Sequence, residues 1–436
     1  MSLDSFTLLE VNVKLRVTVS TVLLLSVVLT SQAAAGGFQL NEHGARAMAQ
    51  AGAFAARAND PSALFFNPAG LSFQRGTQIM AGATIIAPSY TYYGPSNLNS
   101  NEKWEMNNNV FTPPNLYITN TWNDGALKGL AIGIGVTTPF GLGTEWDDDW
   151  IGRSVTREIE LQTFFIMPTV SYAINDMISV GVGANIVISN VMLRRAVTNF
   201  DTELDLELEG DGDLGYSFNA GILFRPIENV SVGFTYRSET ELDFEGTSDF
   251  HAPTTLQALF PGGDVTTGLT LPETWFAGVA WSPIENFDLE FDYQFIGWSS
   301  YDELAIDFST DAANTPGVAQ SDVASPKDYE NTFIARFGLE YRIPATGIAL
   351  RGGYFFDNNP VPDKSLEPLL PDSDRHGLNI GVGLDVLPNI RLDAAYLHLI
   401  FIDRITEATT YDEGVHMNGK YSGGVDLFAL NITYAF

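Results

Sequence analysis

Residues 427–436, the last ten of the chain, read LFALNITYAF. Phe428, Leu430, Ile432, Tyr434 and Phe436 fall on one face, and Leu427, Ala429, Asn431, Thr433 and Ala435 on the other. A period of two is that of a β-strand, whose successive side chains point to opposite faces. Such a strand needs one apolar surface and one wetter surface. The same pattern recurs upstream. Phe287, Leu289, Phe291, Tyr293 and Phe295 alternate with Asp288, Glu290, Asp292 and Gln294. Phe333, Ala335, Phe337, Leu339 and Tyr341 alternate with Ile334, Arg336, Gly338, Glu340 and Arg342.

A soluble sandwich and a barrel in lipid both satisfy this alternation. Three features favour lipid. Charges stand in ladders on the polar face, as a hydrated lumen allows. Aromatics mark strand ends, with Trp275, Trp281, Tyr293, Trp298 and Tyr301 placed as interfacial girdles. The strands are about ten residues or longer, the length a tilted spanning strand needs. No segment after the N-terminal region holds 18 consecutive uncharged apolar residues, so spanning helices are excluded. Backbone in lipid must pair fully, so the sheet has to close.

Fourteen strands are expected, near residues 77–92, 114–122, 128–138, 158–174, 177–193, 213–225, 228–243, 272–283, 286–300, 329–343, 346–357, 375–387, 389–402 and 423–436. Turns such as Asn175-Asp176 and Leu387-Pro388-Asn389 are short, and the connections between hairpins are long and acidic. Short periplasmic turns opposite long outer loops are the pattern of an outer-membrane barrel. An even strand number puts both ends of the barrel on the periplasmic side.

Composition agrees. The mean hydropathy of +0.04 suits a wall in which only alternate residues meet lipid. A net charge of −31 argues against a nucleic-acid partner. With 45% hydrophobic residues the chain is not disordered, and with no Cys it has no disulfide, thiolate metal site or thiol nucleophile.

The N-terminal region reads as a secretory signal. Lys14 and Arg16 precede VTVSTVLLLSVVLT, and Ala33-Ala34-Ala35 then supplies small residues before Gly36. We expect a signal peptide over 1–35, although Asp4 and Glu10 lie in an unusually long leader and a start codon further downstream would shorten it. Residues 36–75 break the strand pattern: GARAMAQAGAFAARAND is Ala-rich and partly helical, and SALFFNPAGLS ends in turn chemistry. A fourteen-stranded barrel with an empty lumen would be an open pore, so this stretch is expected to plug it. The barrel proper then covers 76–436.

GGFQLNEHGARAMAQAGAFAARANDPSALFFNPAGLS, residues 36–72, resembles the opening of the FadL/TodX outer-membrane transporters. Pro139-Phe140-Gly141-Leu142 and Trp150-Ile151-Gly152-Arg153 are similar to the family's third extracellular region. FFDNNPVPDKSLEPLLPDSDRHGLNIGVG resembles its late PVPD and LPDSDRH block, with Gly377 where an aromatic is common, and NITYAF its end. The fragments occur in the family's order along the whole mature chain. The resemblance implies a fourteen-stranded barrel plugged by a hatch carrying an Asn-Pro-Ala motif. It implies passive carriage of long-chain fatty acids or other hydrophobic molecules, with lateral release into the membrane at a kink in the third strand. Physics permits that route: burying an acyl chain is worth roughly 0.8 kcal/mol per CH₂, and lateral release keeps the chain out of water.

Particular residues follow. Asn67, Pro68 and Ala69 form a stiff turn, because Pro68 fixes its own φ and restricts Asn67. We expect them to be the hatch gate rather than an ordinary loop turn. Gly133, Gly135, Pro139, Phe140 and Gly141 cluster at the end of the third strand. Gly and Pro weaken a ladder, so these five mark a lateral opening or, with equal weight, a glycine-rich strand packed on the plug. A carboxylate cargo needs Arg or Lys donors; Arg194, Arg195 and Lys327 stand where the family resemblance places basic residues. By parity Arg336 and Arg351 face the lumen with Glu340, as an ion ladder. For any one of these cations a structural role outranks ligand contact. The acidic runs 145–150 and 201–213 match no EF-hand spacing and read as solvated loops, bridged to lipopolysaccharide by divalent cations. His43, His251, His376, His398 and His416 form no metal triplet or catalytic triad.

The expectation is therefore an all-β, non-enzymatic, transmembrane antiparallel β-barrel with a partly helical N-terminal hatch, lying in a Gram-negative outer membrane. No cofactor or metal is expected. Its partners are a long-chain fatty acid or other hydrophobic small molecule, membrane lipid and lipopolysaccharide, and the barrel-assembly machinery, which reads the strand ending in Phe436. A monomer is expected. The competing readings are a general porin or adhesion barrel, distinguished by steady ion conductance, and an uptake channel specific for aromatic or alkane hydrocarbons.

Overall fold

A computed structural model describes residues 36–95, 100–199, 202–406 and 417–436. The signal-peptide reading of 1–35 lies outside the described residues. Fourteen strands form the wall: β1 (Gly76–Tyr93), β2 (Pro114–Thr121), β3 (Leu130–Thr137, resuming as Gly141–Glu145), β4 (Glu158–Ile166 and Thr169–Ala173), β5 (Ile178–Asn199), β6 (Gly215–Ile227) and β7 (Val230–Arg237), followed by β8 (Thr274–Ile284), β9 (Phe287–Ile296), β10 (Thr332–Arg342), β11 (Ile348–Asp357), β12 (Arg375–Leu387), β13 (Ile390–Phe401) and β14 (Lys420–Ala435). Each is antiparallel to its sequence neighbour. The final strand closes on the first, from Gln78↔Ala435 to Tyr93↔Lys420. Closure leaves no free edge, as lipid requires. Among the described residues no helix is long and apolar enough to cross a membrane.

The alternation has the expected sense. On β9, Asp288, Glu290, Asp292 and Gln294 are buried in the lumen, while Phe291 and Tyr293 are exposed on the outer wall. Ile118, Ile134, Val182, Ile222, Phe234, Val279, Phe337, Ile380 and Leu430 are likewise exposed. So broad an apolar surface marks contact with lipid.

Two readings are corrected. Trp275, Trp281 and Tyr293 do lie on the outer wall, but Trp298 is fully buried and Tyr301 nearly so. After Ile296 the chain leaves the wall in a 3₁₀ turn, Trp298–Ser300, and both rings pack inward on Phe38. The acidic run after residue 201 is no loop. Thr202–Gly212 is a strand paired with the upper half of β5 and with Thr240–His251. Leu204, Leu206 and Leu208 are buried on one face, and Glu203, Glu209 and Asp211 are exposed on the other. The wall thus continues beyond the outer rim, with Gly263–Leu271 and Glu303–Phe308 extending it.

Residues 36–74 fill the lumen. They form two short helices, α1 (Ala45–Met48) and α2 (Ala63–Phe66), and a 3₁₀ turn, Pro68–Phe73. Helices this short are not stable alone, so the lumen wall supplies their partners. Asp292 accepts from the N–H groups of Phe54 (2.8 Å) and Ala55 (2.9 Å), and Glu290 from that of Ala56 (2.6 Å). Asn379 donates to the Met48 carbonyl at 2.6 Å, and Asn431 accepts from the Ala45 N–H at 2.7 Å. Buried polar groups cost dearly unless paired; here the polar inner face of the wall and the backbone of the plug satisfy each other.

Candidate functional site

The third strand is interrupted between its two segments. β3 pairs with β2 from Ala131 to Val136, and that ladder ends at Leu116, two residues inside the start of β2 at Pro114. Against β4, Thr137 pairs with Phe165, and pairing resumes at Gly141 with Gln162. Thr138, Pro139 and Phe140 therefore stand opposite only Thr163 and Phe164. One extra residue is a bulge, and it bends the strand. The bent stretch turns to the plug for partners: Leu40 donates to the Pro139 carbonyl at 2.8 Å, and Gly141 donates to the Phe38 carbonyl at 3.0 Å. On its other flank Pro113 and Pro114 have no N–H to offer. The next hydrogen bond on that side runs from Asn107 N–H to the Glu145 carbonyl, 2.8 Å.

A cavity of 280 Å³ lies at this break. Phe38, Phe355, Leu399 and Leu427 line it from the lumen, and Pro113, Pro114 and the outward-facing Gln162 and Phe164 from the wall. The Phe111 ring covers Gly143, where a Cβ would sit 2.1 Å from the ring. A second cavity, of 60 Å³, is lined by Leu161, Phe244, Leu304, Tyr329, Leu369 and Lys327. Phe38 borders both cavities. Its ring is 4.8 Å from that of Trp298, 5.9 Å from Tyr301 and 6.2 Å from Phe140. Sequence reasoning missed Phe38 and Tyr301 as cavity residues, and Trp298 as the ring behind Phe38, because only the fold brings them together.

The backbone just before Phe38 is held by a buried carboxyl. Asp372, in the connection between β11 and β12, accepts from the Gly37 N–H at 2.6 Å and lies 3.7 Å from Arg375. Burial pushes its carboxyl up to about 7, and the Arg375 guanidinium pulls it back only in part.

The residues singled out from sequence separate into groups. Asn67 caps the 3₁₀ turn, accepting from the Ala69 N–H at 3.1 Å, and donates to the carbonyls of Ala55 (2.8 Å) and Ile222 (3.1 Å). The Ala69 carbonyl accepts from Ser179 at 2.8 Å and Ser171 at 3.2 Å. Glycines of the wall permit this approach: a Cβ on Gly221 would lie 2.2 Å from Asn67 Oδ1, and one on Gly181 2.5 Å from the Pro68 carbonyl carbon. Gly133 and Gly135 are in the paired part of β3, against Leu64 and Tyr117. Pro139, Phe140 and Gly141 are at the break itself.

The cations divide similarly. Arg194 binds Asp148 at 3.1 Å and Glu158 at 3.6 Å. Lys327 is buried and paired with Glu367, the same carboxylate whose field acts on Arg195. Arg195 Nε has no hydrogen-bond partner among the described residues. Arg351 bonds Glu340 at 2.6 Å and Asp393 at 2.7 Å, and Arg46 of the plug reaches Glu340 at 3.1 Å. Arg336 stands outside that ladder, donating instead to the Ala51 carbonyl (2.9 Å) and Gln294 (2.6 Å). Trp146 and Trp150 of the first acidic run are buried and stacked at 4.4 Å.

The profile of outer membrane transport proteins described as OMPP1/FadL/TodX matches residues 26–436. The chain belongs to this family. The long-chain fatty acid transport protein of Salmonella typhi is 25% identical over 443 residues, covering 94% of this chain and 96% of the relative. Among solved structures, a Pseudomonas aeruginosa FadL homologue superposes with a TM-score of 0.79 at 19% identity, covering 92% of this chain and all of the other. The Pseudomonas putida toluene transporter TodX superposes with a TM-score of 0.71 at 16% identity, covering 93% and 100%. At those identities the structures establish the shared fold. Members of the OMPP1/FadL/TodX family are transport channels, and a barrel of this family is an outer-membrane protein.

Proposed function

We propose that the chain carries hydrophobic molecules, long-chain fatty acids foremost, passively across the outer membrane. The observation that carries this reading is the 280 Å³ apolar cavity at the unpaired stretch of β3, lined by residues of the lumen and of the outer wall alike. A molecule held there leaves sideways into lipid without crossing water or the charged lumen floor. Residues 36–75 act as the hatch, with Asn67, Pro68 and Ala69 as its hinge to the wall. Phe38 partitions the capture pocket from the exit cavity. Arg195 and Lys327, sharing one carboxylate, are suited to receive the head of a fatty acid at the outer end. Fatty acids come first because relatives over nearly the full length are named for them, and neutral hydrocarbons second because the fold is shared with a toluene transporter. The barrel works as a monomer within lipid and lipopolysaccharide, and the strand ending in Phe436 delivers it to the assembly machinery.

The test is uptake of labelled oleate and of labelled toluene by cells lacking other such transporters. Oleate uptake above background supports the reading; toluene uptake alone assigns the channel to hydrocarbons. Uptake of neither, with steady ion conductance in planar bilayers, would make it a general pore.

A further inference from the structure

Most cations deep in this lumen are matched by carboxylates; Arg336, which has none in bonding range, still lies in the field of Asp357, Glu42 and Asp292. Arg57 has Glu290 at 2.7 Å, Arg375 has Asp357 at 2.7 Å, and Arg351 has both Glu340 and Asp393. Arg237, at the inner face of the end of β7, has none within salt-bridge distance among the described residues. It is 5% exposed. Its Nη2 donates to the carbonyl of Phe65 at 3.2 Å, its guanidinium sits 4.2 Å from the Phe65 ring centre, and its Nε has no partner. Asn219 lies directly across the ladder from it, and the Oδ1 of Asn219 and Oγ1 of Thr235 are also buried without partners. A buried guanidinium without a counter-ion is unfavourable. Such a site suits an anion that comes and goes.

Its position suits a cargo carboxylate. The Phe165 ring lies 6.0 Å from the Arg237 guanidinium and 6.1 Å from the Phe140 ring, and Phe140 lines the 280 Å³ cavity. Apolar contacts thus lead from that cavity to the cation. The group now bonded to Arg237 is the neutral carbonyl of Phe65, two residues before Asn67. A carboxylate makes shorter and roughly twice stronger bonds to guanidinium, in bidentate fashion.

We propose that Arg237 is an inner receptor for the carboxylate of a long-chain fatty acid, and that this carboxylate displaces the Phe65 carbonyl. The exchange frees the segment leading into Asn67-Pro68-Ala69, so a charged head is read as a signal to loosen the hatch. A neutral hydrocarbon cannot send it. This rests on the transport reading above, and assigns it a substrate class. Arg194, Arg195 and Lys327 differ from Arg237 in having carboxylates acting on them already.

The experiment compares binding of oleate and oleyl alcohol to the full-length barrel in nanodiscs, for the wild type, Arg237→Gln and Arg237→Lys. Folding is checked by the heat-dependent shift in gel mobility. The oleate-to-alcohol affinity ratio should fall about ten- to a hundred-fold in Arg237→Gln and recover largely in Arg237→Lys. Oleate should also speed hydrogen exchange at the amides of 63–69 in the wild type and not in Arg237→Gln. An unchanged ratio, or equal loss of both ligands, overturns the assignment of Arg237 alone. A wild-type barrel that holds neither ligand overturns the transport reading together with it.

Discussion

Replacing Phe38 by Ala should undock the start of the plug while leaving the barrel intact. The ring is 5% exposed and touches Trp298, Tyr301 and Phe140. Deleting a buried Phe side chain costs about 3–5 kcal/mol. That loss falls on a short segment. Beyond the ring, residues 37–40 are held chiefly by Gly37 N–H to Asp372, Leu40 N–H to Pro139 and Gly141 N–H to the Phe38 carbonyl. At 1.4 kcal/mol per tenfold, even the low end raises the undocked population by about two orders of magnitude. Deuterium uptake by peptides spanning 36–44 should accelerate accordingly. The two cavities of 280 Å³ and 60 Å³ that Phe38 separates become one, so bound fatty acid should exchange faster. The barrel should melt within a few degrees of the wild type, since the closed ladder does not pass through Phe38. Unchanged exchange over 36–44, or a melting temperature that falls in step with it, would refute the reasoning: Phe38 would then be ordinary core.

Other expectations follow from the same geometry. Because burial raises the Asp372 carboxyl from 3.8 to about 7, Asp372 holds a proton under the docked segment that it releases once undocking lets water in; docking is strongest below about pH 4 and weakens as pH rises through 7. Corrected for the base-catalysed intrinsic rate, protection over 36–44 should therefore be greater at pH 5.5 than at pH 8, and Asp372→Asn should flatten that dependence. Asn67→Ala removes three hydrogen bonds and leaves the Ala55 and Ile222 carbonyls without this donor, a cost of about 1.5–4 kcal/mol. Single-channel recordings should show frequent openings where the wild type is nearly silent. Gly221→Val, which drives a Cβ against Asn67 Oδ1, should give the same openings from the wall side; a silent Gly221→Val channel would count against the tight fit of this turn.

The wall was legible because lipid imposes a strict period of two. Phe428 to Phe436 and Phe287 to Phe295 declare their outward faces one residue at a time, and the polar partners between them declare the lumen. The same rule was present in TELDLELEGDG, residues 202–212, but the density of carboxylates masked it; the three leucines pack on the extended wall while the acids stay wet. Trp298 and Tyr301 went astray because the alternation says nothing of where a strand stops, and here it stops at Ile296. The break in β3 was marked by Pro139 and Gly141, yet the residues that share its cavity, Phe38 and Phe355, are far apart in sequence and meet only in the closed barrel. Arg237 shares inward parity with Gly233 and Thr235. Its lack of a counter-ion is a property of its neighbours, and no pattern along one strand carries that information.

Release through the wall at β3 is the central claim, and the bulge makes it directly testable. Three residues, Thr138 to Phe140, face two, Thr163 and Phe164. Deleting Pro139 equalises the count and lets the ladder run from Thr137 to Gly141 without a break. Labelled oleate uptake by cells carrying the deleted barrel, normalised to folded protein at the surface, is the measurement. Uptake should fall to the level of cells without the barrel, with oleate still bound in the lumen. Uptake at the wild-type rate through a wall so sealed would contradict release at β3.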